Sequence, residues 1–144
     1  MTNALVLTAA GSSTRMGGDV KKEYLTVSEG SDGRISVLSS ALYSFLSTKL
    51  FSFILITVPT GGEAEARRVL SEDNRVAHAL ERDGLSLLFA EGGSTRQVSV
   101  RNGIEALARG AGASGAGMPD VVLIHDGARP WVTGECIRAV LEGV

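Results

Sequence analysis

Three stretches of this sequence collect small, cationic and carboxylate residues directly after apolar runs, and their chemistry is that of a polyphosphate site. The first is Ala9-Ala10-Gly11-Ser12-Ser13-Thr14-Arg15-Met16-Gly17-Gly18, followed by Lys21-Lys22-Glu23-Tyr24-Leu25. Small side chains let successive backbone N–H groups close on an anion, and Arg15 with the Lys21-Lys22 pair adds positive charge. The stretch is neither a P-loop nor a dinucleotide fingerprint, for it lacks both G-x-x-x-x-G-K-[ST] and G-x-G-x-x-G. A surface loop with solvated cations is the commoner fate of such residues. The position straight after the first buried strand weighs toward a ligand.

The second stretch, Glu91-Gly92-Gly93-Ser94-Thr95-Arg96-Gln97-Val98-Ser99, sets two glycines ahead of a polar helix start. It would bring N–H groups and the Ser99 hydroxyl to a ligand, although taken alone an ordinary loop and helix cap is the stronger reading. The third is His125-Asp126-Gly127-Ala128-Arg129-Pro130. A carboxylate at a strand end beside a phosphate loop suits Mg²⁺, which prefers hard oxygen ligands; a surface Asp–Arg pair is the alternative. His125 fits packing better than metal ligation, since no Cys/His cluster accompanies it, and His78 falls on the solvated face of a helix. No Ser-His-Asp or Cys-His arrangement is visible.

The elements that would carry these stretches follow from two alternating periods. Nearly continuous apolar runs at 4–10, 53–58, 85–90 and 121–125 predict strands buried on both faces. Between them, Leu38, Ala41, Leu42, Phe45 and Leu46 keep the spacing of one helix face. Val100, Ile104, Leu107 and Ala111 repeat that stripe, as do Ile137, Val140, Leu141 and Val144, with Thr133 as N-cap. Residues 63–80 read as helix with an interruption at Asp73-Asn74. The order β-α-β-α-β-α-β-α predicts an open, mainly parallel α/β sheet with helices on both faces. In such a sheet, ligands bind beyond the carboxyl ends of the strands. A formal G-x-G-x-x-G at Gly110, Gly112 and Gly115 follows a helix instead of a strand, so it reads as a surface turn. The last stripe runs to Val144 without a cap, which leaves a frayed final helix and a chain cut before its natural end as equal alternatives.

Composition narrows the classes. The 144 residues suit one domain, with 44% hydrophobic and 21% charged residues. A formal charge of −2 argues against nucleic acid or an anionic membrane as partner, so a phosphate ligand needs a local cationic site. The single Cys136 excludes an internal disulfide. The apolar runs are too short to span a bilayer and the N-terminus lacks a signal-peptide plan, so a cytoplasmic location is expected.

Taken together, A-A-G-x-x-x-R-M-G, K-x-Y-L, G-G-x-x-R-x-x-S-V-x-N-G and H-D-x-A-R-P, in that order over 9–130, resemble the 2-C-methyl-D-erythritol 4-phosphate cytidylyltransferases of isoprenoid biosynthesis. Ribitol-5-phosphate cytidylyltransferases share the layout but tend to show A-G-G, K-Q-F-L and H-D-A-V-R-P. Each difference favours the methylerythritol branch. The resemblance implies a Rossmann-like nucleotidyltransferase fold and CMP transfer from CTP to a sugar-alcohol phosphate, with Mg²⁺ or another divalent cation as cofactor. It places Ala9, Ala10, Gly11 and Ser12 against the triphosphate and ribose. Arg15 and Lys22 match the pair that steadies charge on the phosphoryl group in flight; Lys22 keeps the K-x-Y-L frame, so Lys21 is expected to matter little. Gly93, Ser94 and Ser99 match cytosine-reading positions, and Asp126 matches the metal ligand.

Several positions depart from the family pattern. Ser13 stands where a second glycine is usual, Lys21 where proline precedes the lysine, and Glu23 in place of glutamine. Ser94 and Val98 replace aspartates, and Gly127 replaces alanine. Family members also continue through an acceptor site and a dimer-forming arm. The expectation is therefore a single nucleotide-binding α/β domain over 1–144, truncated relative to the family, its homodimer contacts in the region absent here. Nothing after Pro130 offers a basic cluster for the acceptor phosphate, since Arg138 is alone on a helix. Such a chain would bind Mg·CTP weakly with negligible transfer, as a CTP-binding domain without turnover.

Overall fold

The computed structural model describes residues 2–11, 21–115 and 117–144. Four parallel strands form the central sheet in the order β5-β4-β1-β6, with β1 at Asn3–Thr8, β4 at Phe53–Val58, β5 at Leu87–Glu91 and β6 at Val121–Asp126. The inner strands β1 and β4 are almost wholly buried, which explains their uninterrupted apolar sequence. Alternation along β1 sends Leu5 and Leu7 to one face and Ala4 and Val6 to the other.

The first face carries the larger core. Leu5, Leu7, Ile54 and Ile56 meet Leu38, Leu42 and Phe45 of α1 (Val37–Leu46), Ala66 and Leu70 of α2 (Glu63–Ser71), Val76 of α3 (Asn74–Asp83) and Ile137 of α5 (Gly134–Glu142). On the second face α4 (Arg96–Ala113) packs Leu107 against Ala4, Val6 and Leu55. Its buried stripe is Ser99, Gly103, Leu107 and Ala111. The expected stripe is thus displaced by one residue at its start, because small Ser99 and Gly103 let the helix lie close to the sheet while Val100 and Ile104 flank the contact. Thr133 caps α5 as the spacing predicts, its Oγ1 accepting from the Cys136 N–H at 3.1 Å.

The interruption expected near residue 73 is real. Asp73, fully buried, caps α3 by accepting from the Arg75 N–H at 3.0 Å, and its carboxylate also takes both arms of the Arg75 guanidinium. Two further elements leave no periodic signal in the sequence. Strands β2 (Thr26–Gly30) and β3 (Gly33–Ser36) form an antiparallel hairpin between β1 and α1. Every residue of β2 is exposed, so it has no buried face to print a period on the sequence. The hairpin is held by backbone bonds to the α2–α3 junction, Arg34 N–H to Glu72 C=O and Asn74 N–H to Asp32 C=O, both 2.8 Å. Gly33 sits there at φ 82°, and a β-carbon would overlap the Glu72 carbonyl.

The G-x-G-x-x-G stretch is only partly a turn. Gly110 and Gly112 lie inside α4, and Gly115 alone, at φ 79°, lies beyond its end. No helix among the described residues is long and apolar enough to cross a membrane.

Candidate active site at the strand ends

Sheet register brings the separate stretches together. Across the four strands, Ala90 pairs with Thr57, Thr57 with Thr8, and Thr8 with Asp126, so all four ends lie in one row. The chain runs from β1 outward to β4 and β5, then returns to place β6 on the other side of β1. A crevice at such a reversal is where open α/β sheets take ligands.

A cavity of about 510 Å³ opens beyond this row, a size suited to a nucleotide. Thr8, Ala10 and Gly11 line it from β1 and its loop, and Lys22 and Glu23 from the 3₁₀ turn Lys22–Tyr24. Gly93, Ser94, Thr95, Arg96 and Ser99 come from the β5–α4 connection, and Asp126 and Ala128 from the end of β6. A larger hollow of about 820 Å³ follows β6 and α5; apart from Arg129, His125 and Thr133 its lining is mainly apolar, with Val122, Ile124, Trp131 and Val140.

Of the residues singled out by sequence, Ala10, Gly11, Lys22, Gly93, Ser94, Ser99 and Asp126 share this wall. Ala9 does not. It is 1% exposed and belongs to the core, because its N–H continues the sheet by donating to the Thr57 carbonyl at 3.0 Å. Ser12 and Arg15 lie outside the described residues.

The glycine turn also differs from expectation. Its N–H groups are not offered to a ligand: Gly92 N–H donates to the Val58 carbonyl at 2.8 Å and Gly93 N–H to Ser99 Oγ at 3.0 Å. Gly92 is half-buried, so its donor needs a partner within the chain. Ser99 thereby fixes the turn and keeps its hydroxyl proton for another acceptor. Thr95 caps α4 through its bond from Val98 N–H at 3.1 Å.

Lys21 and Lys22 part company. Lys22 faces the cavity, whereas Lys21 lies off its lining with a side chain 11% exposed, donating to the Gly11 carbonyl and lying 3.6 Å from Glu23 Oε2. Glu23 is 4% exposed. Next to it, burial first and then the charges of Glu65 and Glu23 push the Tyr24 hydroxyl up to about 12.

Asp126 uses Oδ1 to accept from the Ala128 N–H at 2.9 Å, and Oδ2 lies 3.7 Å from Arg129 Nε. With its side chain 41% exposed, the carboxylate retains free lone pairs toward the cavity mouth. Among the described residues no group of three or more His, Cys, Asp and Glu side chains could hold a metal unaided. The donor set therefore fits an ion that arrives with phosphate oxygens as its main ligands, as Mg²⁺ does. His125 packs edge-on against Phe45, its ring 5.1 Å away, and its Nε2 lies 3.0 Å from the Arg129 carbonyl.

Sequence reasoning does not select Thr8, Glu23, Thr95, Arg96 or Ala128 as site residues. Arg96 has a signal, being the cation of the glycine-turn motif at a helix start. Thr8 has none, since a threonine closing an apolar run is unremarkable before the sheet register is known.

The sequence model of the 2-C-methyl-D-erythritol 4-phosphate cytidylyltransferase family matches residues 3–144. The chain belongs to this family. Similar curated members include the cytidylyltransferase of Cereibacter sphaeroides, 37% identical over 144 residues, which span 100% of this chain and 54% of that protein. That of Streptomyces avermitilis is 32% identical over 141 residues, or 98% of this chain and 49% of the relative. Among solved structures, the bifunctional IspDF of Campylobacter jejuni aligns with a TM-score of 0.68 at 21% identity, covering 99% of this chain and 30% of that one. The chain therefore spans about half the length of the curated cytidylyltransferases it matches, and the likeness to known structures extends over its whole α/β fold.

Proposed function

We propose that this chain is the nucleotide-binding domain of an enzyme that moves CMP from CTP to 2-C-methyl-D-erythritol 4-phosphate, releasing pyrophosphate in isoprenoid precursor synthesis. The observation that carries the reading is the single cavity onto which Lys22, Gly93, Ser94, Ser99 and Asp126 converge from three strand ends, in a chain matched by the family over 3–144.

A phosphate oxygen of the acceptor would attack the α-phosphorus of CTP in line, and the bond to the β-phosphate's bridging oxygen breaks as pyrophosphate leaves. The attacking phosphate is already an anion, so no general base is required. Catalysis is positioning plus charge stabilisation. Lys22 supplies a cation where negative charge grows, and Arg15 is its partner in this reading. Asp126 would hold a divalent ion together with the phosphates. When bound, that ion neutralises charge on the phosphate oxygens. Ser94 and Ser99, with the backbone of Gly93, form the base-reading wall.

Calorimetric titration of the chain with CTP and UTP in the presence of Mg²⁺ tests the assignment. Cytosine offers an amino donor where uracil offers a carbonyl, and each polar group left unpaired costs about 1–3 kcal/mol, or roughly five- to 150-fold in affinity. CTP is expected to bind tighter by a factor in that range. Equal affinities would remove the cytidylyl assignment.

A further inference from the structure

Lys21 is a lysine nearly without solvent. Its side chain is 11% exposed, and its ammonium group is shared between the Gly11 carbonyl and Glu23 Oε2. Glu23 lines the strand-end cavity, while its second oxygen, Oε1, is buried with no hydrogen-bond partner among the described residues. The described wall thus carries two cations, Lys22 and Arg96, and two carboxylates, Glu23 and Asp126. Asp126 can be neutralised by a metal ion that arrives with phosphate. Glu23 lies deeper, and an uncompensated buried carboxylate would repel a polyphosphate where water screens least.

We propose that Lys21 is a charge-compensating residue for nucleotide binding: paired with Glu23 from off the cavity lining, it lets the cavity accept a polyphosphate, and the pair sets triphosphate affinity. This rests on the nucleotide reading of the cavity. It also reverses the expectation that Lys21 matters little. Lys21 touches no ligand in this scheme and acts through Glu23.

The test compares Lys21→Met, Glu23→Gln and the double variant with the parent 144-residue chain, using Mg·CTP and inorganic tripolyphosphate as calorimetric probes. Lys21→Met is expected to weaken both probes about tenfold or more. Glu23→Gln should bind both at least about threefold tighter than the parent, because the buried negative charge is gone. The double variant should return to within about threefold of the parent. Opposite signs for the two single variants, with rescue in the double, are what a purely structural pair would not give. A double variant as weak as Lys21→Met, or a Glu23→Gln variant that binds no tighter than the parent, overturns the proposal. Should Lys21→Met fail to fold by circular dichroism, Glu23→Gln against the parent still decides by its sign. The expected pattern on tripolyphosphate together with equal CTP and UTP binding would refute the cytidylyl reading and leave the pair standing. Binding of neither probe to the parent would sink both.

Discussion

Gly92 lies where the β5–α4 turn, the loop after β1 and the first turns of α4 meet, and a single methyl group there should disturb all three. A β-carbon at this position would overlap the Ala10 methyl and come within 2.6 Å of Ser99 Oγ. Neither neighbour can swing aside as a long side chain would. Ala10 moves only with its backbone, and Ser99 Oγ is held by the Gly93 N–H at 3.0 Å. Overpacking of this kind costs about 1–3 kcal/mol, and displacing Ser99 leaves a part-buried N–H unpaired at a further ~1–3 kcal/mol. Gly92→Ala should therefore lose roughly 2–6 kcal/mol, a large share of the ~5–15 kcal/mol typical of a domain. Ser99→Ala removes only the hydrogen bond and should lose about 1–3 kcal/mol. The double variant relieves the Ser99 clash but not the Ala10 one, so its cost should fall short of the sum by about 0.5–3 kcal/mol. Urea denaturation followed by circular dichroism gives these three values, and calorimetry with Mg·CTP should show a larger affinity loss for Gly92→Ala than for Ser99→Ala. Stability within about 0.5 kcal/mol of the parent and unchanged CTP affinity for Gly92→Ala would refute the packing of the loop against the turn.

Asp126→Asn retains the acceptor for the Ala128 N–H but removes the charge; it should weaken Mg²⁺-dependent CTP binding about tenfold while metal-free binding barely changes, as titrations with and without the ion would show. Asp73→Ala removes the α3 cap and leaves Arg75, stacked 4.3 Å from the Tyr43 ring, without its carboxylate; a loss of about 2–4 kcal/mol in denaturant stability with an unaltered CTP-to-UTP ratio is expected. Tyr24 predicts an alkaline limb. The folded state holds its proton up to about 12, against about 10 for an unfolded tyrosine, so stability from this group is complete below pH ~10 and is lost as pH rises through about 12. Tyr24→Phe should flatten the stability profile over that window, whereas an unchanged slope would mean the hydroxyl is not held as described.

The sheet is legible in the sequence because burial on both faces leaves a continuous apolar run, as in Phe53–Val58, and because Asp73-Asn74 is a cap signature wherever it falls. The β2–β3 hairpin is not. The residues of β2 are exposed, and what fixes the hairpin is the pairing of Arg34 and Asn74 backbone groups with partners brought near only by the tertiary fold. The end of α4 escapes local reasoning for a related reason. Gly110 and Gly112 each cost a helix about 1 kcal/mol relative to alanine, so propensity argues for a turn there although the apolar stripe already reaches Ala111. In the fold the turn holding Gly110 packs against the Leu88 side chain. A β-carbon at Gly110 would lie 2.9 Å from Leu88 Cδ1, so a larger residue fits there only if Leu88 gives way.

Motif order predicts that the stretches share one edge, since strand ends in register must do so, but it cannot say which atoms line the cavity. The glycine turn makes the point. Read from sequence, Gly92 and Gly93 offer donors to an anion, whereas in the fold both N–H groups are satisfied within the chain. Among the described residues neither carbonyl of the pair is taken by a backbone donor, so both stay available as acceptors. An acceptor-bearing wall suits a ligand edge that donates. The exocyclic amino group of cytosine donates, and the carbonyl that replaces it in uracil cannot. In the proposed reading, a turn with satisfied N–H groups leaves its carbonyls for the base, and the triphosphate falls to Lys22 and Arg96 on the described wall.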